Sequence, residues 1–461
     1  MYASFGRCQN HGVQKPFALR ARRCTRFGHG IISALPFKKM PPSDKPKSAG
    51  RAAFRYPEFV RFQTARFFII LLLEMSSVAI GWQVYDITHR PLDLGYVGLI
   101  QFMPGILLIL VTGQAADRFD RRTLLAFCYF GFAISVGLML LITLRGSHRV
   151  LPIYLVLLLV GVLRAFNAPT GQALLPQLVP EEHFPNAVAW GASILQGAVI
   201  LGPALGGVIY AIFRSPVPVY AASLVAALAA TFAILQVKPR REARARQQVN
   251  LGTVLAGFRY VWEKKLILGS ISLDLFAVLL GGAVALLPVY AREILKTGPW
   301  GLGLLRSAPG VGAAIMAIVL AHRPLRRRAG ITMLLCVAGF GVFTIIFGLS
   351  RSLVLSLLSL LLVGASDTVS VVIRLTLVQL ATPDEMRGRV SAVNMLFIGA
   401  SNELGQFESG LTAHWFGIVP AVVLGGIGTL VVIALWTWLF PELRHTEQFY
   451  TVPEPEETVA G

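Results

Sequence analysis

Long apolar stretches recur along most of this 461-residue chain, and they constrain its fold more than any other feature. Hydrophobic residues make up 55% of the sequence and charged residues only 14%, whereas a typical soluble domain has about 25% charged residues. Each stretch is close to the roughly 20 residues with which a helix crosses about 30 Å of hydrocarbon. Outer-membrane strands would show alternating segments of about ten residues, which are not seen here. We therefore predict an all-α integral membrane protein.

We count twelve such stretches, which fall into two sets of six. The predicted spans are 61–86, 94–116, 122–144, 151–175, 185–212, 217–237, 266–291, 298–321, 329–349, 353–380, 389–414 and 417–440, numbered helix 1 to helix 12. The predicted domains are a largely disordered basic tail (1–60), a six-helix bundle (61–237), a basic linker (238–265), a second six-helix bundle (266–440) and an acidic tail (441–461).

The net charge of +19 would suggest a nucleic-acid partner for a soluble protein, so the positions of Lys and Arg are decisive. With both termini in the cytoplasm, the cytoplasmic segments hold 32 of these residues and the outer loops hold 7. Such an asymmetry is typical of inner-membrane proteins with the positive loops inside. We predict a multi-pass protein of the plasma (inner) membrane, with both termini cytoplasmic and no role in nucleic-acid binding.

Two basic segments lie outside the predicted spans. The N-terminal tail lacks the continuous apolar core of a signal peptide. Met40 offers an alternative start, in which case residues 1–39 do not belong to the native protein; a targeting arm is the alternative. The central linker is basic from Lys238 and becomes amphipathic around 251–262, so we expect its second part to lie along the membrane surface.

The two halves of the chain resemble each other, as expected for transporter folds built from internal repeats. At a shift of about 203 residues, Gln177-Leu-Val-Pro-Glu-Glu182 aligns with Gln379-Leu-Ala-Thr-Pro-Asp-Glu385. A shift of 205 residues places the basic segment 321–328 over the polar segment 113–122. A basic hairpin therefore follows the second helix of each half, and His322 stands where the first copy has an acid.

The segment 113–122 is a polar hairpin between two apolar stretches, because its charges cannot remain in hydrocarbon. A glycine at its start lets helix 2 approach a neighbour closely, and its arginines hold the loop at the cytoplasmic face. An acid here can accept hydrogen bonds or a charge from a neighbouring helix end. The residues that we single out are Gly113, Asp117, Arg118, Asp120, Arg121 and Arg122.

Together these features resemble the major facilitator superfamily of secondary transporters, over roughly residues 60–440. The superfamily motif between helices 2 and 3 usually has Gly where this chain has Asp120. The variant Asp117-Arg-Phe-Asp-Arg-Arg122 is similar to that of the branch containing the bacterial enterobactin exporter and related efflux proteins. Leu255-Ala-Gly-Phe-Arg-Tyr260 and Met386-Arg-Gly-Arg-Val-Ser-Ala-Val-Asn394 are also similar to that branch. The resemblance implies a hairpin that latches the two bundles in the outward-facing state, although a pure topology signal is the alternative.

Helix 5 contains a cluster of small residues around a proline, which gives it a thin, kinked face on which another helix can slide. The cluster resembles the Gly-Pro-x-x-Gly-Gly core of the motif associated with antiporters in this superfamily, although the preceding glycine, Gly197, is one residue too early. The resemblance favours export by exchange, and simple helix packing is the alternative. The matching residues are Gly202, Pro203, Gly206 and Gly207.

Ionisable residues near the centres of predicted helices are functional candidates, because burying charge in the membrane is costly. Glu74, Arg164, Asp274 and Asp367 lie in helices 1, 4, 7 and 10, which the resemblance implies line a central cavity. A carboxyl group among apolar neighbours favours its neutral form and can bind a proton.

We hypothesise that Glu74 or Asp274 takes up a proton while Arg164 and Asp367 pair across the cavity and Arg374 tunes them. Structural ion pairs are the alternative. Glu403 and Glu408 in helix 11 rank lower, since that helix normally supports the cavity in this superfamily.

The sequence contains no phosphate-binding Gly-Lys-Ser/Thr loop, no paired metal-binding histidines and no soluble domain, which argues against a primary pump or an enzyme. We predict a proton-coupled exporter of a small amphipathic molecule, such as a siderophore, a drug or a metabolite. Its expected partners are that small-molecule substrate, protons and the lipid bilayer. We expect it to function as a monomer, without cofactor or metal.

An uptake permease for a sugar or organic acid is the alternative within transport, and a lipid flippase or membrane enzyme is the alternative from another class.

Overall fold

The computed structural model describes residues 49–239, 251–323 and 328–445, and these ranges form helices without a strand. Twelve membrane-crossing helices follow one another as predicted. Their bounds are Pro57–Thr88, Pro91–Leu107 continued by Ile109–Arg118, Arg121–Leu144, Leu151–Leu174, Phe184–Phe213, Val217–Leu235, Lys265–Gly281 with its extension to Ile294, Gly298–His322, Ala329–Leu349, Leu353–Ala381, Asp384–Phe416 and Ile418–Leu439. Short helices lie at Ala49–Arg55, Leu175–Gln177, Glu181–His183 and Pro441–His445.

The helices form two six-helix bundles. Helices 1 to 6 pack mainly on one another, as do helices 7 to 12, and the two bundles meet chiefly where helix 2 crosses helix 11 and helix 5 crosses helix 8. Large apolar side chains such as Phe127, Phe232 and Leu335 are exposed on the outer surface, where they face lipid. The end of the helices at which residues 113–122 lie is called the hairpin end, and the opposite end is called the far end.

Half of the twelve helices begin with proline, which lacks the amide hydrogen that the first turn leaves unpaired anyway. Proline occupies the first or second position of helices 1, 2, 4, 5, 6 and 8. The N-cap of helix 3 is Asp120, whose carboxylate accepts the backbone N–H of Thr123 at 2.9 Å. This cap turns the chain sharply between helices 2 and 3 and so builds the polar hairpin.

Ten of the twelve helices are long and apolar enough to cross a membrane by length and composition. Helix 2 is the first exception, because a distortion at Leu108 divides it inside the predicted span 94–116. The backbone hydrogen bonds from Leu108 to Pro104 and from Thr112 to Leu108 continue through the distortion. Helix 11 is the second exception, because its 33 residues include a polar central segment.

Helix 7 is also interrupted inside its predicted span of 266–291. Its regular part ends at Gly281, and Gly282 adopts a non-helical conformation before short 3-10 and π turns lead to Ile294. The carbonyl of Gly282 accepts the hydroxyl of Ser409 in helix 11 at 2.7 Å. Broken helices at membrane depth are tolerated where neighbouring groups satisfy the freed backbone, and they commonly border binding cavities.

The linker between the bundles contains a helix at Leu251–Glu263, as the amphipathic pattern predicts, and it packs on helix 11. The ring of Phe258 lies 5.9 Å from that of Phe397, whereas the side chain of Trp262 is 76% exposed. The predicted N-terminal tail (1–60) is helical where it is described, at Ala49–Arg55 and from Pro57 onwards. Its residues 1–48, residues 446–461 of the predicted C-terminal tail (441–461), the basic linker segment 240–250 and part of the second hairpin, 324–327, lie outside the described residues.

Candidate functional site

A central cavity of about 250 Å³ lies between the two bundles. Helices 1 to 4 form one wall, and the broken part of helix 7 with helices 8 and 11 forms the other. Four charged residues line it, and each bundle supplies one acid and one arginine. We call these residues the quartet: Glu74 and Arg164 come from the first bundle, and Arg306 and Glu403 come from the second.

Some attractions within the quartet cross from one bundle to the other, and others lie within a single bundle. Arg164 Nη1 lies 3.7 Å from Glu403 Oε1. Arg306 donates to the hydroxyl of Ser77, which itself donates to the backbone carbonyl of Glu74 at 2.8 Å. The carboxylates of Glu74 and Glu403 each interact electrostatically with both arginines. Because two acids balance two arginines, the cavity is charged but has no formal net charge.

The structure corrects two of the hypotheses that were drawn from the sequence. Arg164 was expected to pair with Asp367, but its ion-pair partner is Glu403, because helix 11 meets the first bundle while Asp367 faces inward within the second. Glu403 therefore lines the cavity, which contradicts the low rank that its helix number suggested. Its second oxygen accepts Gln406 Nε2 at 3.1 Å.

A second cavity, of about 520 Å³, lies in the second bundle and shares Glu403 and Gln406 with the first. Asp274 and Arg374 form an ion pair there, with side chains 9% and 1% exposed. Arg374 thus holds Asp274, rather than tuning Arg164 and Asp367 as expected. Asp367 lines the same cavity, and within the described residues its carboxylate has no ion-pair or hydrogen-bond partner.

The hairpin contacts its own bundle. Arg121 donates to the carbonyl of Ala173 at 2.8 Å, and Arg122 donates to the carbonyl of Leu235, so that each arginine binds the C-terminal end of a helix. Gly113 and Arg118 lie in the last part of helix 2. The side chain of Asp117 lies outside the described part of the structure, and the latch role of the hairpin stays a prediction.

The small residues of helix 5 lie where three helices cross. A Cβ added at Gly202 would come 2.5 Å from Glu74 Cβ, and one added at Gly206 would come 2.8 Å from the carbonyl oxygen of Met75. On the other side, a Cβ added at Gly303 of helix 8 would come 2.5 Å from the carbonyl oxygen of Pro203 and 3.0 Å from Gly207 Cα. The motif therefore lets helix 5 approach both helix 1 and the second bundle.

Further contacts join the bundles at the far end. Arg292 forms an ion pair with Asp86 and lies 5.7 Å from the ring centroid of Trp82, while Tyr85 donates to Glu293. Helices 2 and 11 also cross closely, since a Cβ at Gly410 would meet helix 2 at 2.9 Å. The bundles are thus held together at the far end in this structure.

One candidate acid lies away from the cavities. Glu408 in helix 11 accepts the hydroxyl of Thr412 at 2.6 Å, and it lines neither the central cavity nor the second one. Sequence reasoning missed Arg306 instead. Its signal was present, because it is an arginine within an apolar helix just like Arg164, but it lies in helix 8, which the resemblance does not place at the cavity.

Comparison with known proteins agrees with this architecture. Residues 49–459 match the family model described as transmembrane secretion effector. Among curated proteins, the chain is similar to the enterobactin exporter EntS of Escherichia coli K12, with 26% identity over 399 residues, 85% of this chain and 94% of that protein.

Solved structures share the fold at low sequence identity. A bacterial homologue of the human lysosomal transporter Spinster, in an inward-facing and occupied conformation, matches with a TM-score of 0.66 and 12% identity over 84% of this chain and 98% of its own. The nucleoside transporter NupG matches with a TM-score of 0.65 and 13% identity, over 83% of this chain and 99% of its own.

These relatives are transporters and not enzymes, and the apolar helices make the chain a multi-pass inner-membrane protein. The protein is therefore a transporter that belongs to the transmembrane secretion effector family of the major facilitator superfamily, in the branch of the enterobactin exporter.

Proposed function

We propose that this protein is a proton-coupled exporter that exchanges protons for a small amphipathic molecule by alternating access. The observation that carries the proposal is the quartet, because its acids and arginines attract each other across the boundary between the bundles. Any movement of one bundle against the other changes those attractions. Protonation of an acid or binding of a charged substrate can therefore change the equilibrium between conformations.

Glu74 is the acid that we assign to proton uptake. Within the described residues its carboxylate makes no direct hydrogen bond or ion pair, whereas that of Asp274 is held by Arg374. A proton on Glu74 would weaken its attraction to Arg306 and leave the arginine available to an anionic or hydrogen-bond-accepting substrate. Substrate and proton then compete for one charged cluster, which is the requirement for exchange.

The conformational cycle follows from the contacts between the bundles. We propose that the far end faces the outside and that the hairpin end and both termini face the cytoplasm, as the positions of Lys and Arg favour. In this structure the far end is held by the pairing of Asp86 with Arg292 and of Tyr85 with Glu293. Opening there would be accompanied by closure at the hairpin end, where Asp117 and its neighbours would act as the latch. The two bundles of one chain supply the whole cavity, so we propose a functional monomer.

The direction and the substrate class are supported by the relatives and by the chemistry of the cavity. The similar curated proteins are enterobactin exporters, which favours export of a siderophore, a drug or another secreted metabolite. The cavity lining combines the quartet with apolar side chains such as Phe132 and Val160. Such a surface suits a molecule that has both polar and apolar parts.

The proposal is tested by expressing the chain in a bacterium that lacks its main efflux pumps and measuring the cellular content of a panel of siderophores and toxic compounds. At least one compound should be depleted, and a protonophore should abolish the depletion. Glu403→Gln should lose activity, while Glu408→Gln, on the same helix but outside both cavities, should retain it.

Accumulation of a compound instead of depletion would identify an uptake permease. No change with any compound, or equal activity of the Glu403→Gln variant, would contradict the proposed mechanism.

A further inference from the structure

A third cavity, of about 380 Å³, lies within the first bundle and shares no lining residue with the central cavity. Helices 1, 3, 4 and 5 enclose it towards the hairpin end. Its polar lining residues are Arg66, Tyr129, Asn167 and Gln172. Arg66 precedes Glu74 by eight residues, which places the two about 12 Å apart along helix 1.

Arg66 is the charged residue of this pocket, and it has no acid nearby. Its Nη1 lies 3.5 Å from Gln63 Oε1 and its guanidinium lies 5.6 Å from the ring centroid of Phe62, but within the described residues it forms no ion pair. The arginines of the other cavities, Arg164, Arg306 and Arg374, all interact with carboxylates. Among the described residues the guanidinium of Arg66 therefore has no carboxylate to balance its charge, so the pocket can accept a ligand that supplies the negative charge.

Other hydrogen-bond donors accompany the guanidinium. Gln63 is 2% exposed, and its Nε2 has no hydrogen-bond partner. A Cβ added at Gly191 would come 2.7 Å from that nitrogen and 3.7 Å from Arg66 Nη1, so both groups reach the same place on the pocket wall. Asn167 and Gln172 add two amides, and Tyr129 adds a hydroxyl. Together these side chains offer more hydrogen-bond donors than acceptors. Such a group of donors suits an oxyanion, which only accepts hydrogen bonds.

The remainder of the pocket is apolar. Ile69, Ile70, Leu175, Val188 and Leu195 line it opposite or beside the polar groups. A simple inorganic anion would leave this apolar surface unused, whereas an anion attached to an apolar body would cover it. The chemistry therefore selects an amphipathic anion over a small hydrated one.

We propose that this pocket is a second binding site, separate from the transport cavity, for one carboxylate or phosphate group carried on an apolar body. Arg66 binds the anionic group with its forked donors, and the apolar wall receives the rest of the ligand. A soluble amphipathic anion and the headgroup of an anionic phospholipid share this chemistry. The site does not depend on the direction of transport or on proton coupling.

The test measures binding of benzoate to the full chain in phosphatidylcholine nanodiscs by calorimetry, with the uncharged benzamide as a comparison. Benzoate should bind saturably, and benzamide should bind at least about tenfold more weakly, since a charge-assisted hydrogen bond contributes at least that factor. Arg66→Gln should abolish benzoate binding, and Arg66→Lys should retain part of it, because lysine keeps the charge but not the fork.

Two further variants separate loss of the site from loss of the fold. Arg61→Gln is the matched control on the same helix, because Arg61 is paired with Glu58 at 2.7 Å and does not line the pocket, so its binding should be unchanged. Gly171→Val should weaken binding by filling the pocket. The substitution should leave the fold intact, because an added Cβ at Gly171 meets no heavy atom within 4 Å.

Repeating the titration in phosphatidylglycerol nanodiscs shows whether the pocket binds a lipid headgroup or a soluble anion. Weaker benzoate binding there assigns the pocket to headgroup phosphates, and equal binding assigns it to soluble anions; both results support an anion site. Undiminished benzoate binding by Arg66→Gln and Gly171→Val, or equal binding of benzamide by the unmodified chain, would overturn the proposal. Binding lost through Glu403→Gln but not through Arg66→Gln would also overturn it, by placing benzoate in the central cavity.

Discussion

The quartet and the Asp274 to Arg374 pair are both built from acids and arginines inside the membrane, but they differ in position and in access to water. The quartet joins the two bundles, and its ion pair is loose, with 3.7 Å between Arg164 and Glu403 and side chains 39% and 22% exposed. Asp274 and Arg374 belong to the same bundle and are almost completely buried.

This difference separates groups suited to coupling from groups suited to stability. Rigid movement of one bundle against the other alters the distances that cross the boundary, such as that from Arg164 to Glu403, and leaves the Asp274 to Arg374 pair unchanged. A group that responds to protons or substrate must also be reachable, which the partly exposed quartet is. We infer that changes at the quartet affect transport first, whereas changes at the buried pair affect folding first.

The largest effect is expected from breaking the buried pair. Arg374→Met leaves Asp274 without its partner, and removal of one member of a buried pair costs about 3–5 kcal/mol. The thermal midpoint of the purified protein should fall sharply. Asp274→Leu combined with Arg374→Met should regain most of the loss, since apolar replacements of a buried pair are often nearly neutral. If Arg374→Met is as stable as the unmodified chain, the pair of Asp274 and Arg374 has no structural role.

A smaller effect is expected from the same experiment on the quartet. Arg164→Gln, Glu403→Gln and the double variant form a double-mutant cycle in the free energy of unfolding, obtained from the thermal midpoints. The coupling energy between the two side chains should be about 1 kcal/mol or less. The distance of 3.7 Å and the exposure of both side chains are the reasons. A coupling energy as large as that of the buried pair would contradict the distinction between the two groups.

The crossing of helices 5 and 8 provides a comparable test of the boundary between the bundles. Gly303→Ala would place a methyl group 2.5 Å from a backbone oxygen of Pro203, so that the helices must separate. Overpacking of this kind costs about 1–3 kcal/mol, here against the conformation closed at the far end. Distances between spin labels at the far ends of helices 5 and 8 should lengthen. Gly137→Ala is the control, since an added Cβ there meets nothing within 4 Å.

The smallest effect is expected from the exposed ion pair at the far end. Asp86 and Arg292 have side chains 54% and 31% exposed, and pairs of this kind contribute about 0.2–1 kcal/mol. Asp86→Asn should therefore change the ratio of the open to the closed far end by no more than about fivefold, measured with the same spin labels. A complete opening would show that this pair holds the far end by itself.

The fold could be predicted from the sequence because apolar length and the positions of Lys and Arg report directly on the membrane. The interruptions were harder to foresee. The distortion at Leu108 falls one turn after Pro104, whereas proline disturbs the turn before it. The interruption at Gly282 leaves a carbonyl that accepts the hydroxyl of Ser409, and the local sequence pattern does not predict a partner on a distant helix. Long-range satisfaction of a backbone carbonyl is a tertiary effect.

The sequence predicted that charged residues line a central cavity, but it did not predict which acid pairs with which arginine. Charges such as Glu74 and Arg164 were recognisable because each interrupts an apolar stretch. Which acid meets which arginine depends on how helix 11 crosses the first bundle, so Glu403 was ranked too low and Arg306 was missed. Spacing along one helix defines a face, but it does not define the partner of that face.

The most direct test of the central claim uses proteoliposomes loaded with the compound that the efflux screen identifies. The unmodified chain, Glu74→Gln and Glu408→Gln are each assayed for transport driven by a pH gradient and for exchange of labelled compound without a gradient. Glu74→Gln should lose gradient-driven transport by at least about tenfold but retain exchange, because substrate still binds and the bundles still move. Glu408→Gln should retain both activities. Full gradient-driven transport by Glu74→Gln would contradict the assignment of proton coupling to the quartet.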